Sequence, residues 1–131
     1  DIDDIDFIEA HGTGTPLGDP QEIQSISNVF EKRSDKLPVG ALKSNIGHLE
    51  GAAGIAGVIK TIMCLQNKTL PPNINYENPN PRIIPYLEKN IVLPVHAPWK
   101  LKEGKKEYNA GVSSFGFGGT NSHAIITFKN D

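Results

Sequence analysis

The sequence predicts an α/β fold built on a mixed sheet, with one buried helix rich in glycine and alanine. Residues 5–42 have the order and length of a strand, a helix and a second strand, which together form a βαβ unit. Residues 51–57 are almost all glycine and alanine and lead into a long apolar helix. Residues 108–128 have the pattern of two strands joined by a glycine-rich turn. At 131 residues the chain can bury one core, so residues 1–131 form one predicted unit.

The first strand and helix are predicted from β-forming residues and from a helix start pattern. Residues 5–10 form the strand, and a glycine-rich loop follows it. Asp19 is the expected N-cap, with Pro20 at the first helical position and Glu22 closing a capping box. The helix is expected to end near residues 31–34. Its buried stripe comprises Ile23, Ile26 and Phe30.

The second strand is expected to run parallel to the first. Residues 38–42 form it, and a βαβ connection of this length places its two strands parallel with a right-handed crossover. The loop of residues 43–48 then leaves the sheet at the same edge as His11. Topology should therefore bring Lys43 and His48 close to His11.

The helix over residues 55–66 is expected to be buried on most of its sides. The turns before it contain little besides glycine and alanine. A glycine lowers helix stability by up to about 1 kcal/mol, and the usual reason to accept that cost is close approach of another backbone. Its apolar stripe comprises Ile55, Val58, Ile59, Ile62 and Met63.

Residues 69–107 are predicted to be a proline-rich, extended surface segment. Most of the ten prolines lie here with asparagines between them, which is typical of turns and extended chain. Within the segment, residues 91–93 are expected to form a short edge strand and residues 100–107 a charged, hairpin-like loop. In the two strands that follow, residues 124–128 are apolar enough to predict an inner strand.

The composition argues against nucleic acid and membranes as partners. A net charge of −2 leaves no large basic surface, and no apolar run approaches the length of a membrane span. The amino terminus is acidic where a signal peptide would be basic, and the single cysteine fits a reducing compartment, so we predict a cytoplasmic protein. The missing initiator methionine and the early first strand predict a piece of a longer chain.

The basic side chains at the sheet edge suit the stabilisation of a developing oxyanion. A neutral imidazole donates one hydrogen bond, and a nearby ammonium discourages it from taking up a second proton. His11, His48 and Lys43 together therefore favour this chemistry over a purely structural role. No metal site is predicted, because the other histidines and the cysteine have no short pair spacing. From the residues alone, Thr13 and Thr15 are more often partners of their own backbone than of a substrate amide.

Two further features have structural explanations. The glycine-rich loop of residues 115–121 is similar in composition to a phosphate-binding loop, but a strand pattern follows it. Phosphate binding needs a helix N-terminus after the glycines, so a nucleotide site is rejected. Cys64 lies on the apolar helix, where a buried thiol is more often a packing residue than a nucleophile.

Three motifs in order resemble those of β-ketoacyl synthases of the polyketide synthase and multifunctional fatty acid synthase type. They are His-Gly-Thr-Gly-Thr with Gly-Asp at residues 11–19, Lys-Ser-Asn-Ile-Gly-His at 43–48 and Gly-Phe-Gly-Gly-Thr-Asn at 116–121. The resemblance covers essentially the whole chain. It implies the C-terminal half of a thiolase-like fold, in which two similar α/β halves stack as five layers. It also implies decarboxylative Claisen condensation of an acyl thioester with a malonyl unit on an acyl carrier protein.

The resemblance implies roles for the candidate residues. His11 and His48 would hold the malonyl thioester carbonyl and stabilise the enolate, and Lys43 would support His48 and the electrostatics of the site. Thr13 and Thr15 would bind the 4'-phosphopantetheine arm, which arrives on the carrier protein, so the chain itself needs no cofactor.

The third motif would supply the oxyanion hole and a gate. The backbone amide of Phe117 would contribute to the oxyanion hole, and its ring would gate the acyl pocket. The residues implied to shape the loops are Asn45, Gly116, Gly118 and Gly119.

Two positions depart from the family pattern. The family nucleophile is a cysteine at a strand-to-helix turn in the N-terminal half, and Cys64 does not match it. Gly57 stands where dissociated bacterial synthases carry a glutamate that pairs with the lysine, so the pattern names no partner for Lys43.

The expected partners are an N-terminal ketosynthase half with the nucleophilic cysteine, an acyl carrier protein and a second copy in a homodimer. The isolated fragment should be inactive. One alternative is a truncated or degenerate thiolase-fold half with a structural or interaction role. Another is a thiolase-fold acyltransferase that uses free coenzyme A, which the paired histidine motifs disfavour.

Overall fold

A five-stranded mixed sheet organises the computed structural model, which describes residues 1–130. The strands are β1 (Ile5–Glu9), β2 (Leu37–Gly40), β3 (Thr69–Leu70), β4 (Ile91–Val92), β5 (Trp99–Lys100), β6 (Glu107–Phe115) and β7 (Asn121–Lys129). The helices are α1 (Gly18–Val29), α2 (Lys43–Ile46), α3 (Ala53–Asn67) and α4 (Ile84–Lys89), with short 3-10 turns at Ile2–Asp4 and Glu50–Ala52. In the sheet order β4-β2-β1-β6-β7, the first four strands are parallel, β7 is antiparallel to β6, and β3 and β5 form a separate antiparallel pair.

The predicted βαβ unit is confirmed. Strands β1 and β2 pair in parallel, with Ile8 opposite Val39 and Glu9 opposite Gly40. Just past β1, the backbone amide of Ala10 donates to the carbonyl of Gly40 at 2.8 Å. Both strands therefore end together, and the loops that follow them start at one edge of the sheet.

The core lies in two clusters, one on each face of the sheet, because neighbouring strand residues point to opposite faces. The first cluster, on the side of α1 and α4, comprises Ile8, Ala10, Ile23, Phe30, Leu37, Val39, Ile83 and Ile91. The second, on the side of α3, comprises Phe7, Cys64, Leu65, Leu70, Leu101, Tyr108 and Ala110. The adjacent residues Phe7 and Ile8 thus belong to different clusters, which shows that helices cover both faces of β1.

Helix α1 begins differently from the prediction. Its N-cap is Leu17, which makes no side-chain cap hydrogen bond, so the predicted cap at Asp19 is wrong. Asp19 and Glu22 instead bind backbone amides of the loop before the helix. The helix ends at Val29, short of the predicted 31–34. The predicted inner stripe is confirmed, since Ile23 and Phe30 are buried and Ile26 packs against them.

Helix α3 presents a different side to the sheet than its apolar stripe predicted. The residues it buries are Gly57, Thr61, Cys64 and Leu65. Those of the predicted stripe are largely exposed: Ile55 by 59%, Ile59 by 54% and Met63 by 57%. Within residues 1–130 only the side of α3 with small residues is covered, so this chain alone does not provide the predicted burial on most sides.

The proline-rich segment contributes more structure than its composition predicted. Helix α4 was not predicted, and it lies just after the buried Ile83. The edge strand predicted at 91–93 is confirmed as β4, whereas β5 pairs with β3 rather than opening a hairpin of its own. The hairpin of β6 and β7 is confirmed, but β7 is an edge strand and mostly exposed, so the predicted inner strand is wrong. Within residues 1–130 no helix has the length and apolarity needed to cross a bilayer.

Candidate functional site

The two histidines predicted to converge, His11 and His48, lie close together at the carboxyl edge of the sheet. His11 follows β1 after one residue, and His48 follows the one-turn helix α2, which itself follows β2. Their ring centroids lie 5.6 Å apart with the ring planes nearly perpendicular, at 86°. The predicted convergence of the two loops is therefore confirmed.

Hydrogen bonds to both rings assign the same neutral tautomer. The backbone amide of Phe115 donates to Nδ1 of His11 at 3.4 Å, and the amide of Glu50 donates to Nδ1 of His48 at 2.9 Å. A nitrogen that accepts a hydrogen bond carries no proton, so the proton of each neutral ring is assigned to Nε2. Both histidines therefore offer an Nε2–H donor at the sheet edge.

The surroundings of His11 favour its neutral form. Partial burial lowers the pKa of His11, and the positive charge of Lys43, together with that of His48 when it is protonated, lowers it further. The ring of Phe115 lies against His11 at a centroid distance of 5.3 Å. His11 thus remains an uncharged hydrogen-bond donor down to lower pH than an ordinary histidine.

Lys43 is the first residue of α2 and is half-buried. Burial lowers the pKa of Lys43, while the negative charges of Glu9 and Glu22 act in the opposite direction. Both carboxylates influence the ammonium through space, since neither lies within 4.0 Å of it as an ion pair in the described chain. The pKa of Lys43 is therefore governed first by burial and then by two acidic residues that the sequence did not identify as its partners.

Carboxylates of α1 hold the His11 loop. Glu22 Oε1 accepts the backbone amide of His11 at 2.7 Å, and Oε2 accepts that of Gly12 at 2.9 Å. Asp19 Oδ1 accepts the amide of Gly14 at 3.0 Å. Burial raises the pKa values of Glu22 and Asp19, and the amides that they accept oppose the rise. The spacing of these acids is visible in the sequence, where it predicts a helix cap rather than contacts with the loop.

Glycines give two of these turns their shape. Gly12 has φ of +52°, and a Cβ there would lie 2.6 Å from Cβ of Ala41 at the end of β2. Gly47, with φ of +76°, joins α2 to His48. Both conformations disfavour any residue with a side chain, so the histidine loops depend on these two glycines.

A buried ion pair lies beneath the site. Glu9, the last residue of β1, accepts Nζ of Lys60 from α3 at 2.6 Å, with side chains only 3% and 10% exposed. Sequence reasoning missed both residues. The only hints were an acid at the end of a buried strand and a lysine inside an apolar helix.

Comparison with known proteins identifies the family. Residues 1–77 match the family described as "Beta-ketoacyl synthase, C-terminal domain", and residues 79–131 match the "Ketoacyl-synthetase C-terminal extension". The chain belongs to the β-ketoacyl synthase family. It has the fold of solved ketosynthases: against ketosynthase twelve of the bacillaene polyketide synthase of Bacillus amyloliquefaciens the TM-score is 0.88 at 42% identity, over 98% of this chain and 23% of that one.

Curated relatives are polyketide synthases far longer than this chain. A phenolphthiocerol/phthiocerol polyketide synthase of Mycobacterium tuberculosis is 48% identical over 130 residues, which cover 96% of this chain and 8% of that protein. The highly reducing polyketide synthase FUM1 of Gibberella moniliformis is 48% identical over 128 residues, which are 5% of its length. The predicted thiolase-like α/β class is confirmed by the match to ketosynthase structures.

The remaining ketosynthase motif residues lie around the same edge. The hydroxyls of Thr13 and Thr15 are 3.4 Å apart, and Thr15 Oγ1 accepts the amide of Gly18 at 3.0 Å. Phe117 is fully exposed at the tip of the β6–β7 turn. That turn is closed by hydrogen bonds from Gly116 N to Thr120 O and from Gly119 N to Gly116 O.

The loop-shaping residues differ in how they act. Gly119 has φ of +92°, whereas a Cβ at Gly118 would meet no neighbour within 4 Å. Asn45 in α2 is exposed, and its Oδ1 accepts the hydroxyl of Ser44 at 2.8 Å. Gly119 therefore shapes its turn through its backbone conformation, whereas Asn45 bonds within its own helix.

Cys64 lies inside the ketosynthase core rather than at the site. It is only 4% exposed and packs in the second cluster beside Leu65. Burial raises the pKa of its thiol to about 11, so a thiolate nucleophile is strongly disfavoured there. Its sequence-based interpretation as a packing residue agrees with this position.

Proposed function

We propose that this chain is the C-terminal half of a polyketide-type ketosynthase and that it provides His11, His48 and Lys43 for decarboxylative condensation. The observation that carries the proposal is the pair of neutral imidazoles that meet at 5.6 Å with both Nε2–H groups assigned as donors. Two such donors can bind one thioester oxygen, which is the atom that becomes negative when a malonyl unit loses carbon dioxide.

The reaction then follows from the charge that develops. The bond between the malonyl α-carbon and its carboxylate breaks, carbon dioxide leaves, and the electron pair forms an enolate on the thioester oxygen. The Nε2–H groups of His11 and His48 stabilise this oxygen. The enolate carbon next attacks the acyl thioester held on a cysteine of the N-terminal half, a carbon–carbon bond forms, and the cysteine thiolate leaves.

The other motif residues bind the substrate arm and the acyl group in this proposal. Thr13 and Thr15 lie on the loop next to His11, where their hydroxyls can meet the amides of 4'-phosphopantetheine on an acyl carrier protein. The backbone amide of Phe117 completes the oxyanion hole for the acyl group, and its exposed ring gates the acyl pocket. No cofactor is bound by this chain itself.

The partner proposed for the exposed side of α3 is the N-terminal ketosynthase half. Ile55, Ile59 and Met63 form an apolar face beside the site, and such a face needs a cover. The family's stacked halves supply one, together with the cysteine that this chain lacks at a suitable turn. The family resemblance also implies a homodimer, and the composition favours the cytoplasm.

Replacing His48 in a complete ketosynthase that contains this chain tests the proposal. The His48→Ala variant should lose decarboxylation of malonyl-carrier protein by about a hundredfold or more, as for removal of an oxyanion donor. Acylation of the nucleophilic cysteine should be largely retained. The matched control is His96→Ala, because His96 is exposed and lies outside the three motifs.

The same assay separates the alternatives. Loss of acylation without loss of decarboxylation would contradict the role of His48. A complete protein that neither acylates nor decarboxylates would favour the non-catalytic thiolase-fold half. Condensation that uses free coenzyme A esters, without malonyl decarboxylation, would favour the acyltransferase alternative.

A further inference from the structure

The buried ion pair of Glu9 and Lys60 lies next to the chain segment that leads into Lys43. Glu9 Oε2 accepts Lys60 Nζ at 2.6 Å, and both side chains are almost fully removed from solvent. The second oxygen, Oε1, accepts the backbone amide of Leu42 at 2.6 Å. One carboxylate therefore connects β1, the start of α2 and the middle of α3.

The contact with Leu42 places the carboxylate directly before Lys43. Leu42 is the N-cap of α2, and Lys43 is the first residue of that helix. The adjacent residue Ala41 is held in the same way, because its amide donates to Asn73 Oδ1 at 2.8 Å. Two consecutive backbone amides are thus fixed by buried side chains before the chain turns towards Lys43 and His48.

Gly40 leaves room for the pair. A Cβ at Gly40 would lie 3.0 Å from Lys60 Nζ and 3.2 Å from Glu9 Oε2, whereas one at Gly57 would lie 3.5 Å from Glu9 Cγ, which is ordinary contact. Both distances at Gly40 are tighter than ordinary van der Waals contact. The position of the ammonium against the carboxylate therefore depends on a missing side chain at the end of β2.

Stability alone does not account for such a pair. Removing two charges from water costs several kcal/mol per ion, and well-packed apolar residues of similar volume are often as stabilising or more so. A buried pair that holds the helix carrying Lys43 points to a role in the site. The charge of Glu9 also opposes the lowering of the Lys43 pKa by burial.

We propose that Glu9 is a positioning residue of the condensation reaction: its carboxylate, oriented by Lys60, fixes α2 and places a negative charge beneath Lys43. The inference rests on the proposed function, because Lys43 matters only where its ammonium supports the histidines. Glu9 touches no substrate; it acts through Leu42 and Lys43. With Glu22, it is one of two acidic residues whose charge acts on Lys43.

The double variant Glu9→Gln/Lys60→Met in a complete ketosynthase tests this role. It replaces the pair by neutral groups of similar size, so that neither single charge is left buried. The matched control is Glu31→Gln/Lys89→Met, which removes an exposed pair of the same N–O distance, 2.6 Å, away from the site. The melting temperature, the acylation of the cysteine and the decarboxylation of malonyl-carrier protein are measured for each.

The proposal expects a folded double variant that acylates normally and decarboxylates about tenfold more slowly or worse, since small misplacements of a catalytic group have effects of this size or larger. The control should match the wild type in all three assays. A Lys60→Arg variant, which keeps the charge, should retain more decarboxylation than the double variant.

Two results would overturn the proposal. One is a double variant that decarboxylates within about twofold of the wild type; the other is one that does not fold, because the pair would then serve the fold itself. Failure of the proposed function would look different, as a His48→Ala variant that still decarboxylates.

Discussion

Helices α1 and α3 cover opposite faces of the same sheet, yet they differ in which side chains face the sheet and which face outward. Helix α1 and its C-cap place Ile23 and Phe30 against the sheet. Helix α3 places Gly57 and Thr61 against the sheet and leaves Ile55 and Ile59 exposed. An outer helix of an α/β protein has the first arrangement, whereas a helix between two layers must be apolar on both sides.

The difference agrees with the proposal that α3 lies in a central layer. Its small inner side allows close approach to β6, and its exposed apolar side would face the proposed N-terminal half. The site follows the same division. Helix α1 holds the His11 loop through Glu22, whereas the chain leading into α3 carries His48 and α3 itself provides Lys60.

The largest expected effect is on the exposed side of α3. In a complete ketosynthase, Ile59→Asp should destabilise the protein by about 3 kcal/mol or prevent assembly, because a charge would enter the apolar face that the proposed N-terminal half covers. Val29→Asp on α1 is the control, since Val29 is 65% exposed on an outer helix and should change stability by about 0.5 kcal/mol or less. Denaturant unfolding measures both. Equal effects of the two variants would remove the distinction between the helices.

The next effect concerns the carboxylate that α1 contributes to the site. Glu22→Gln leaves only one oxygen for the amides of His11 and Gly12, so one buried hydrogen bond is lost. Stability should fall by about 1–3 kcal/mol, and decarboxylation by about tenfold as His11 shifts. Thermal unfolding and the decarboxylation assay measure the two effects. Gln24→Ala, on the exposed side of the same helix, should leave both values unchanged; a Glu22→Gln enzyme equal to the wild type would show that α1 does not position His11.

A smaller effect is expected in the pH dependence. His11 is the ring whose pKa is lowered, first by burial and then by Lys43 and His48. Because this pKa is lowered, decarboxylation should persist to a pH below the ordinary histidine pKa of about 6.5. At still lower pH, protonation of Nδ1 would break its contact with the Phe115 amide, and activity should fall. In Lys43→Met one of the lowering charges is gone, and the acid limb of the residual activity should move to higher pH. A pH–rate profile tests this, and an unchanged acid limb would contradict the coupling between the two loops.

The smallest effect is expected where α3 approaches the sheet. A Cβ at Gly57 would lie 3.4 Å from Val112 and 3.5 Å from Glu9, which is ordinary contact, so Gly57→Ala should change stability by less than about 1 kcal/mol. Gly12→Ala is the contrast, because it combines a positive φ with a 2.6 Å clash. Thermal unfolding of the two variants measures the difference. A severe loss of stability in Gly57→Ala would mean that α3 must lie still closer to the sheet.

The features that the sequence predicts correctly are those that depend on the order of the elements along the chain. Parallel pairing of β1 and β2 follows from the βαβ order, and it was enough to place His11 beside His48. The hairpin of β6 and β7 follows from local alternation and a glycine turn. Predicting these features does not require knowing which helix face packs against the sheet.

The missed parts depend on contacts that periodicity does not encode. A 3.6-residue pattern shows that Ile55 and Ile59 share a side of α3, but not whether this chain's own sheet covers that side. Glu9 and Lys60 are 51 positions apart, and each looks like a surface residue by type. The sequence pattern does not predict α4, because Pro85 is typical of a turn as well as of the first turn of a helix.

The buried position of Cys64 has a practical consequence for chemical labelling. With a thiol pKa of about 11, roughly one molecule in ten thousand carries the thiolate at pH 7. Alkylating reagents should therefore leave Cys64, the single cysteine of this chain, unmodified. The stoichiometry of rapid iodoacetamide incorporation would then count reactive thiols elsewhere in the assembled enzyme, with no background from residues 1–130.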